Sequence, residues 1–279
     1  MDRTKGIYNL FIRLVKNING LLMLPGLSLY TGEGKLLVSK DGKTQYEEYY
    51  PVAPVEFVLK TETELTEKDK ARIEKNIGIL KQKQIPYYDG MKNIPTEKKV
   101  QLVNKELCYK KMLFDYTAAT IATTILNRNG NHEGVYDMVM ENMQKKHQIS
   151  ERLPANLNDY FLQFKNGNYN KESLSRMSWS YEESAVTTWA LGLIDKPSYS
   201  EQCDVDELNK VLYYIDDCDN FIDRCNMRSF DEILEYADML YRLKWACEES
   251  RIKKQELNGL NERVITFQKE SIMWLLGIN

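Results

Sequence analysis

WSYEESAVTTWALG (residues 179–192) and SFDEILEYADMLYRLKWACEESRIK (residues 229–253) decide how this chain is read. Both have helical periodicity, and both carry charges where a helix would place apolar residues. On a helical period Glu182 falls on the same side as Trp179, Ala185, Val186 and Trp189. Asp238 falls one turn before Arg242, beside Tyr241 and Trp245. Charges among aromatic side chains are costly unless paired, so these residues form either a structural network or a site. Arg251 lies about two and a half turns beyond Arg242 on the same helix. If Glu182 packs across from them, the result is a Glu–Arg–Asp network, framed by Trp179, Tyr181, Tyr241 and Trp245. Such a network fits two roles, locking the register of two helices or holding a polar ligand.

Working outward, the rest of the chain is predominantly helical. Ile73, Ile77 and Leu80 repeat at helical spacing. Ile85-Pro86 and Ile94-Pro95 bracket a loop, because a residue before proline is driven to extended geometry. Helices are predicted over about 105–126, 133–148 and 157–164, and from 171–178 onward to about Ile194. Asp204 is placed to cap the next, Ser229 with Glu232 forms a capping box, and Glu262 to Leu276 makes the last. Residues 1–62 differ. A short helix through Leu10, Ile12 and Val15 precedes apolar runs, and Asp41-Gly42 between two of them signals a hairpin. The fold class is therefore mainly α: a multi-helix domain over residues 63–279, preceded by a small α+β module at 1–62 with a short antiparallel meander.

The composition narrows the function. A net charge of −3 with a pI near 5.7 argues against a nucleic-acid partner, and the lysines are scattered over helix faces. The N-terminal apolar run is interrupted by Arg13 and Lys16, too short for a signal peptide or a membrane helix, which predicts a cytoplasmic protein with no membrane association. Cys108, Cys203, Cys218, Cys225 and Cys247 have no zinc or redox spacing, and the two histidines, His132 and His147, sit near no cysteine cluster. Gly32-Glu-Gly34 lacks the third glycine of a dinucleotide loop. The acidic run from Asp216 to Asp223 lacks the glycine and distal glutamate of a calcium loop. No metal or cofactor is predicted. All four tryptophans fall in the helical half, where at helical spacing they read as core or as the walls of a pocket.

Taken together, Trp179-x-Tyr-Glu182, Trp189-Ala-Leu-Gly192, Cys203-Asp-Val205, Arg228-x-x-x-Glu232, Ala237-Asp238-x-x-Tyr241-Arg242-x-x-Trp245 and Arg251 resemble the bacterial family of unknown function numbered 4272. The resemblance covers roughly residues 70–277 and leaves 1–62 outside. It implies a fold and a domain limit, but no activity. Where it implies Glu-Arg-His in the last helix, this chain has Phe267-Gln268-Lys269. Without a nucleophile, an oxyanion-hole motif or a phosphate loop beside the charged cluster, the expected function is non-catalytic. The chain would act by binding another protein, as an immunity or accessory factor, with the strand module offering an edge to the partner. The alternative is a small-ligand binder or enzyme built on Glu182, Asp238, Arg242 and Arg251. The oligomeric state is not set by the sequence.

Overall fold

The computed structural model describes residues 65–91, 95–215, 221–255, 257 and 259–278, with the backbone of two strands at 29–30 and 36–38. The chain divides into two units, Met1–Glu64 and Leu65–Asn279. In the first, β1 (Leu29–Tyr30) and β2 (Leu36–Val38) pair antiparallel, Leu29 opposite Val38 and Tyr30 opposite Leu36. The expected N-terminal helix, the Asp41-Gly42 turn and the strand after it lie outside the described residues, as do residues 216–220 of the acidic run.

The second unit is mainly helical. It contains α1 (Glu67–Gln82), α2 (Lys105–Asn127), α3 (Val135–His147), α4 (Ile149–Arg152), α5 (Ala155–Lys165) and α6 (Lys171–Ser178). These are followed by α7 (Ser180–Ala190), α8 (Val205–Leu212), α9 (Phe221–Arg224), α10 (Phe230–Lys253) and α11 (Glu262–Leu275). Among the described residues no helix is long and apolar enough to cross a membrane.

The helix starts follow from side-chain oxygens that satisfy otherwise unpaired first-turn N–H groups. Thr66 and Asp69 form a reciprocal box on α1, and Ser229 and Glu232 form one on α10. Asn104, Asp204 and Asn261 cap α2, α8 and α11. In place of one helix running from the 170s to Ile194 there are two, which meet at Trp179. Its amide bonds to the Arg176 carbonyl at 3.1 Å, tightening the turn by one residue and redirecting the chain into α7.

The packing order runs α1, α10, α11, α7, α2, with α3 and α6 also against α2 and α5 against α3. α2 and α7 form the central pair. Ala118, Ala119 and Ala122 of α2 and Ser184, Ala185 and Ala190 of α7 are buried, and their small side chains let the two backbones approach. The Ser184 hydroxyl donates to the Met112 carbonyl at 3.3 Å across this interface. Larger side chains fill the space around the pair, including Met112, Leu113, Ile121, Ile125, Trp189 and Leu191. Each contributes about 1.5–3 kcal/mol by leaving water.

α7 ends because Gly192 adopts φ +76, a left-handed geometry that terminates helices. There the 226–228 loop docks by backbone bonds, Asn226 N–H to the Leu191 carbonyl at 3.0 Å and Arg228 N–H to the Ala190 carbonyl at 2.8 Å. A methyl group on Gly192 would lie 2.3 Å from the Asn226 carbonyl oxygen, a backbone atom that no rotamer change can move. Gly192→Ala is therefore expected to cost about 2 kcal/mol in urea unfolding, from strain and from loss of this docking. An unchanged midpoint and slope would show that the loop does not depend on the glycine.

Candidate functional site

The α6–α7 junction presents Trp179, Tyr181 and Glu182 to three neighbours: the end of α2, the 197–203 loop and α11. Tyr181 packs edge-on to Tyr116, and its hydroxyl donates to Thr120 Oγ1 at 3.1 Å. Glu182 points inward and is 2 % exposed. Its Oε1 accepts the Cys203 backbone N–H at 2.8 Å, and its Oε2 accepts the Gln268 amide at 2.8 Å. The second amide proton of Gln268 goes to the Ser198 carbonyl at 2.8 Å, and its oxygen accepts the Tyr236 hydroxyl at 2.8 Å. This fixes the orientation of the amide, since a flip would turn its oxygen toward both the Glu182 carboxylate and the Ser198 carbonyl. Burial raises the Glu182 carboxyl above its ordinary range, opposed by the donors from Cys203 and Gln268.

Above Glu182 opens a cleft of about 390 Å³, lined by Thr123, Leu126 and Asn127 of α2, by Ser178, Trp179, Tyr181 and Glu182, and by Gln202, Cys203 and Val205. Glu182 is its only charged wall residue. The Cys203 thiol, pushed up by burial and by the neighbouring carboxylate, stays protonated. The other free thiols among the described residues, Cys108, Cys225 and Cys247, are raised as well, Cys225 and Cys247 to about 11. None is an activated nucleophile. No group of three His, Cys, Asp or Glu among the described residues could hold a metal ion.

The predicted charged cluster divides into two networks. Glu182 bonds with Cys203 and Gln268, whereas Asp238 and Arg242 form their own pair within α10, both fully buried, with Nε to Oδ2 at 3.0 Å. That pair is joined to α1, because the Asn76 amide donates to Asp238 Oδ2 at 2.7 Å and to the Glu235 carbonyl at 3.0 Å. Arg251 lies on the exposed last turn of α10, apart from both networks. Trp245 stacks on Tyr88 at 6.0 Å, and Tyr241 lies under the Lys269 ammonium at 5.4 Å. Of the eight predicted residues, Trp179, Tyr181 and Glu182 share the cleft.

Sequence reading did not foresee Gln268, Tyr236 and Asn76 as the neutral partners in these networks; Asn76 Oδ1, Asp238 Oδ1 and Arg242 Nη1 are buried without a hydrogen-bond partner among the described residues. The available signal was a polar amide set in an apolar stripe: Gln268 sits among Val264, Phe267, Ser271, Ile272 and Leu275, and Asn76 beside Ile73, Ile77 and Leu80. Phe267, Gln268 and Lys269, where this chain departs from the pattern its resemblance implies, contact Trp179, Glu182 and Tyr241 respectively.

Residues 72–279 match the model of the family described as domain of unknown function (DUF4272), and the chain belongs to that family. No curated protein and no solved structure gives a significant match.

Proposed function

We propose that this chain, a member of a family to which no activity is attached, is a non-catalytic binding protein that engages another protein. In this reading it is an accessory or immunity factor in a bacterial cytoplasm. The observation that carries the proposal is the state of Glu182. Both carboxylate oxygens are already taken by donors of the chain itself, and the thiol beside it is held protonated, so the one charged group of the cleft is committed to structure. What the cleft offers a visitor is an apolar wall of Trp179, Tyr181, Leu126 and Val205 with a neutral polar rim of Thr123, Asn127, Ser178 and Gln202. A tryptophan-walled pocket ringed by polar groups suits an anchoring side chain of a protein partner.

A volume of about 390 Å³ also suits a small ligand, and one variant separates the two readings. Val205→Trp fills the cleft from the first turn of α8. Pull-down from the native host followed by reconstitution with the purified partner is expected to give binding to the wild type that falls about tenfold in the variant, a change of roughly 1.4 kcal/mol, with the melting temperature preserved. Equal binding by both proteins would overturn the reading. So would a metabolite that raises the melting temperature of the wild type and not of the filled variant.

A further inference from the structure

The α6 and α11 helices line a second concavity of different chemistry. It is a groove of about 590 Å³ lined by Lys171, Glu172, Ser175 and Arg176 of α6 and by Arg263 and Phe267 of α11. Phe267 is its one aromatic lining residue, and it stacks on Trp179 with centroids 5.9 Å apart and planes 14° apart. Each ring carries a guanidinium. Arg263 lies 4.4 Å over Trp179, and Arg176 lies 5.3 Å over Phe267. A guanidinium held over a ring face loses little further freedom when its N–H groups meet a carboxylate. Among the described residues the one carboxylate paired with Arg176 is Glu270, at 3.4 Å and well exposed, a pairing that water largely screens. Among the described residues no carboxylate lies within ion-pair distance of Arg263 or Lys171. In a chain of net charge −3, this groove gathers three cations against one lining carboxylate, Glu172, and two of the cations are already oriented.

We infer that the α6–α11 groove is the docking surface for an acidic segment of a protein partner, whose carboxylates meet the N–H groups of Arg263 and Arg176 while an apolar side chain rests on Phe267. This inference rests on the protein-binding reading above and deepens it. Charge complementarity selects the occupant. A nucleic acid would present a continuous ladder of phosphates, and Glu172 and Glu270 interrupt any basic track that could follow one. Isolated carboxylates at peptide spacing fit two separated forks.

The test uses the full chain and a fluorescein-labelled peptide rich in aspartate and glutamate with one phenylalanine, followed by fluorescence anisotropy. Beside it stand the same peptide with lysine for each acid, inorganic phosphate as competitor, and a single-stranded oligonucleotide. The acidic peptide is expected to bind in a salt-sensitive way, and the lysine peptide not at all. Arg263→Gln and Arg176→Gln should each weaken binding about tenfold, Arg263→Lys by less, and Lys145→Gln on α3 not at all, with melting temperatures unchanged. Equal binding by Arg263→Gln, displacement by phosphate at concentrations comparable to the peptide, or tighter binding of the oligonucleotide would each overturn the inference. A native partner lost with Val205→Trp but retained by Arg263→Gln would overturn the groove and leave the protein-binding reading standing. The absence of any partner sensitive to Val205→Trp overturns that reading whatever the peptide does.

Discussion

Asp238→Ala is expected to destabilise the helical unit by about 3–5 kcal/mol, the largest effect of any single substitution considered for this fold. Arg242 is one of the largest side chains buried in the molecule, and Asp238 is the only carboxylate in ion-pair contact with it among the described residues. Removing the carboxylate leaves a guanidinium in the core without its counter-charge, and α10 cannot turn it to water without disturbing its packing on α11 and α1. The loss would also release one of the two acceptors of the Asn76 amide, leaving the Glu235 carbonyl. The double variant Asp238→Leu with Arg242→Met removes both charges at similar volume and should recover most of the loss, because a buried pair contributes little beyond what apolar packing would. Urea unfolding with linear extrapolation measures each stability, and the double-mutant cycle gives the coupling. A loss below about 1 kcal/mol for Asp238→Ala would mean that water reaches Arg242.

Acidification should reveal a second large effect, centred on His147. The ring is buried between Tyr109, Leu212 and Phe221. Its Nε2 lies 2.7 Å from the Leu212 carbonyl, which can only accept, so that nitrogen carries the proton and Nδ1 accepts the Tyr109 hydroxyl at 3.0 Å. Burial, with Arg152 and Lys146 nearby, lowers its pKa to about 4 from an ordinary 6.5. A depressed folded-state value means that the unfolded chain binds the proton first. The stability contribution is whole above pH 6.5 and lost as pH falls through about 4, a change of roughly 3 kcal/mol.

Two buried carboxyls act in the opposite sense. Asp115 is raised to about 7 by burial, against the pull of Lys111, and Glu182 is also raised. For these the folded state holds the proton more tightly, so their contribution is present at low pH and lost as pH rises. In the wild type these contributions oppose that of His147 as pH falls from about 7 to about 4. His147→Gln removes one side of the balance. Whatever the substitution costs at neutral pH, the gap between variant and wild type should narrow by about 3 kcal/mol over that range. Parallel stability curves for the two proteins would show that the histidine titrates normally in the fold.

The helices were legible because their causes are local. Caps at Asp204 and Ser229 could be read ahead of periodic apolar residues, and each forms with its own first turn, as do those the structure adds at Thr66, Asn104 and Asn261. The break at Trp179 was not legible: no glycine or proline marks it, and the ring there stacks on Phe267, a residue far along the chain. The Asp238–Arg242 pair could be read from spacing alone, since four residues on a helix bring two side chains together whatever surrounds them. Glu182 could be recognised as buried and polar, but its partners could not, because Cys203 arrives from a loop and Gln268, which in turn accepts from Tyr236, from a helix far along the chain.

By itself, then, the sequence determined that this is a mostly helical protein of a recognisable family, with charged residues set into aromatic helix faces and no catalytic or metal motif beside them. Only the tertiary structure decided that those charges separate into two networks, that Arg251 belongs to neither, and that Trp179 lines a cleft while stacking on the aromatic ring of a cationic groove. The physical reason is range. Caps and i, i+4 pairs are fixed within a turn of helix, whereas a buried carboxylate takes whichever donor the packing of distant elements brings within 3 Å.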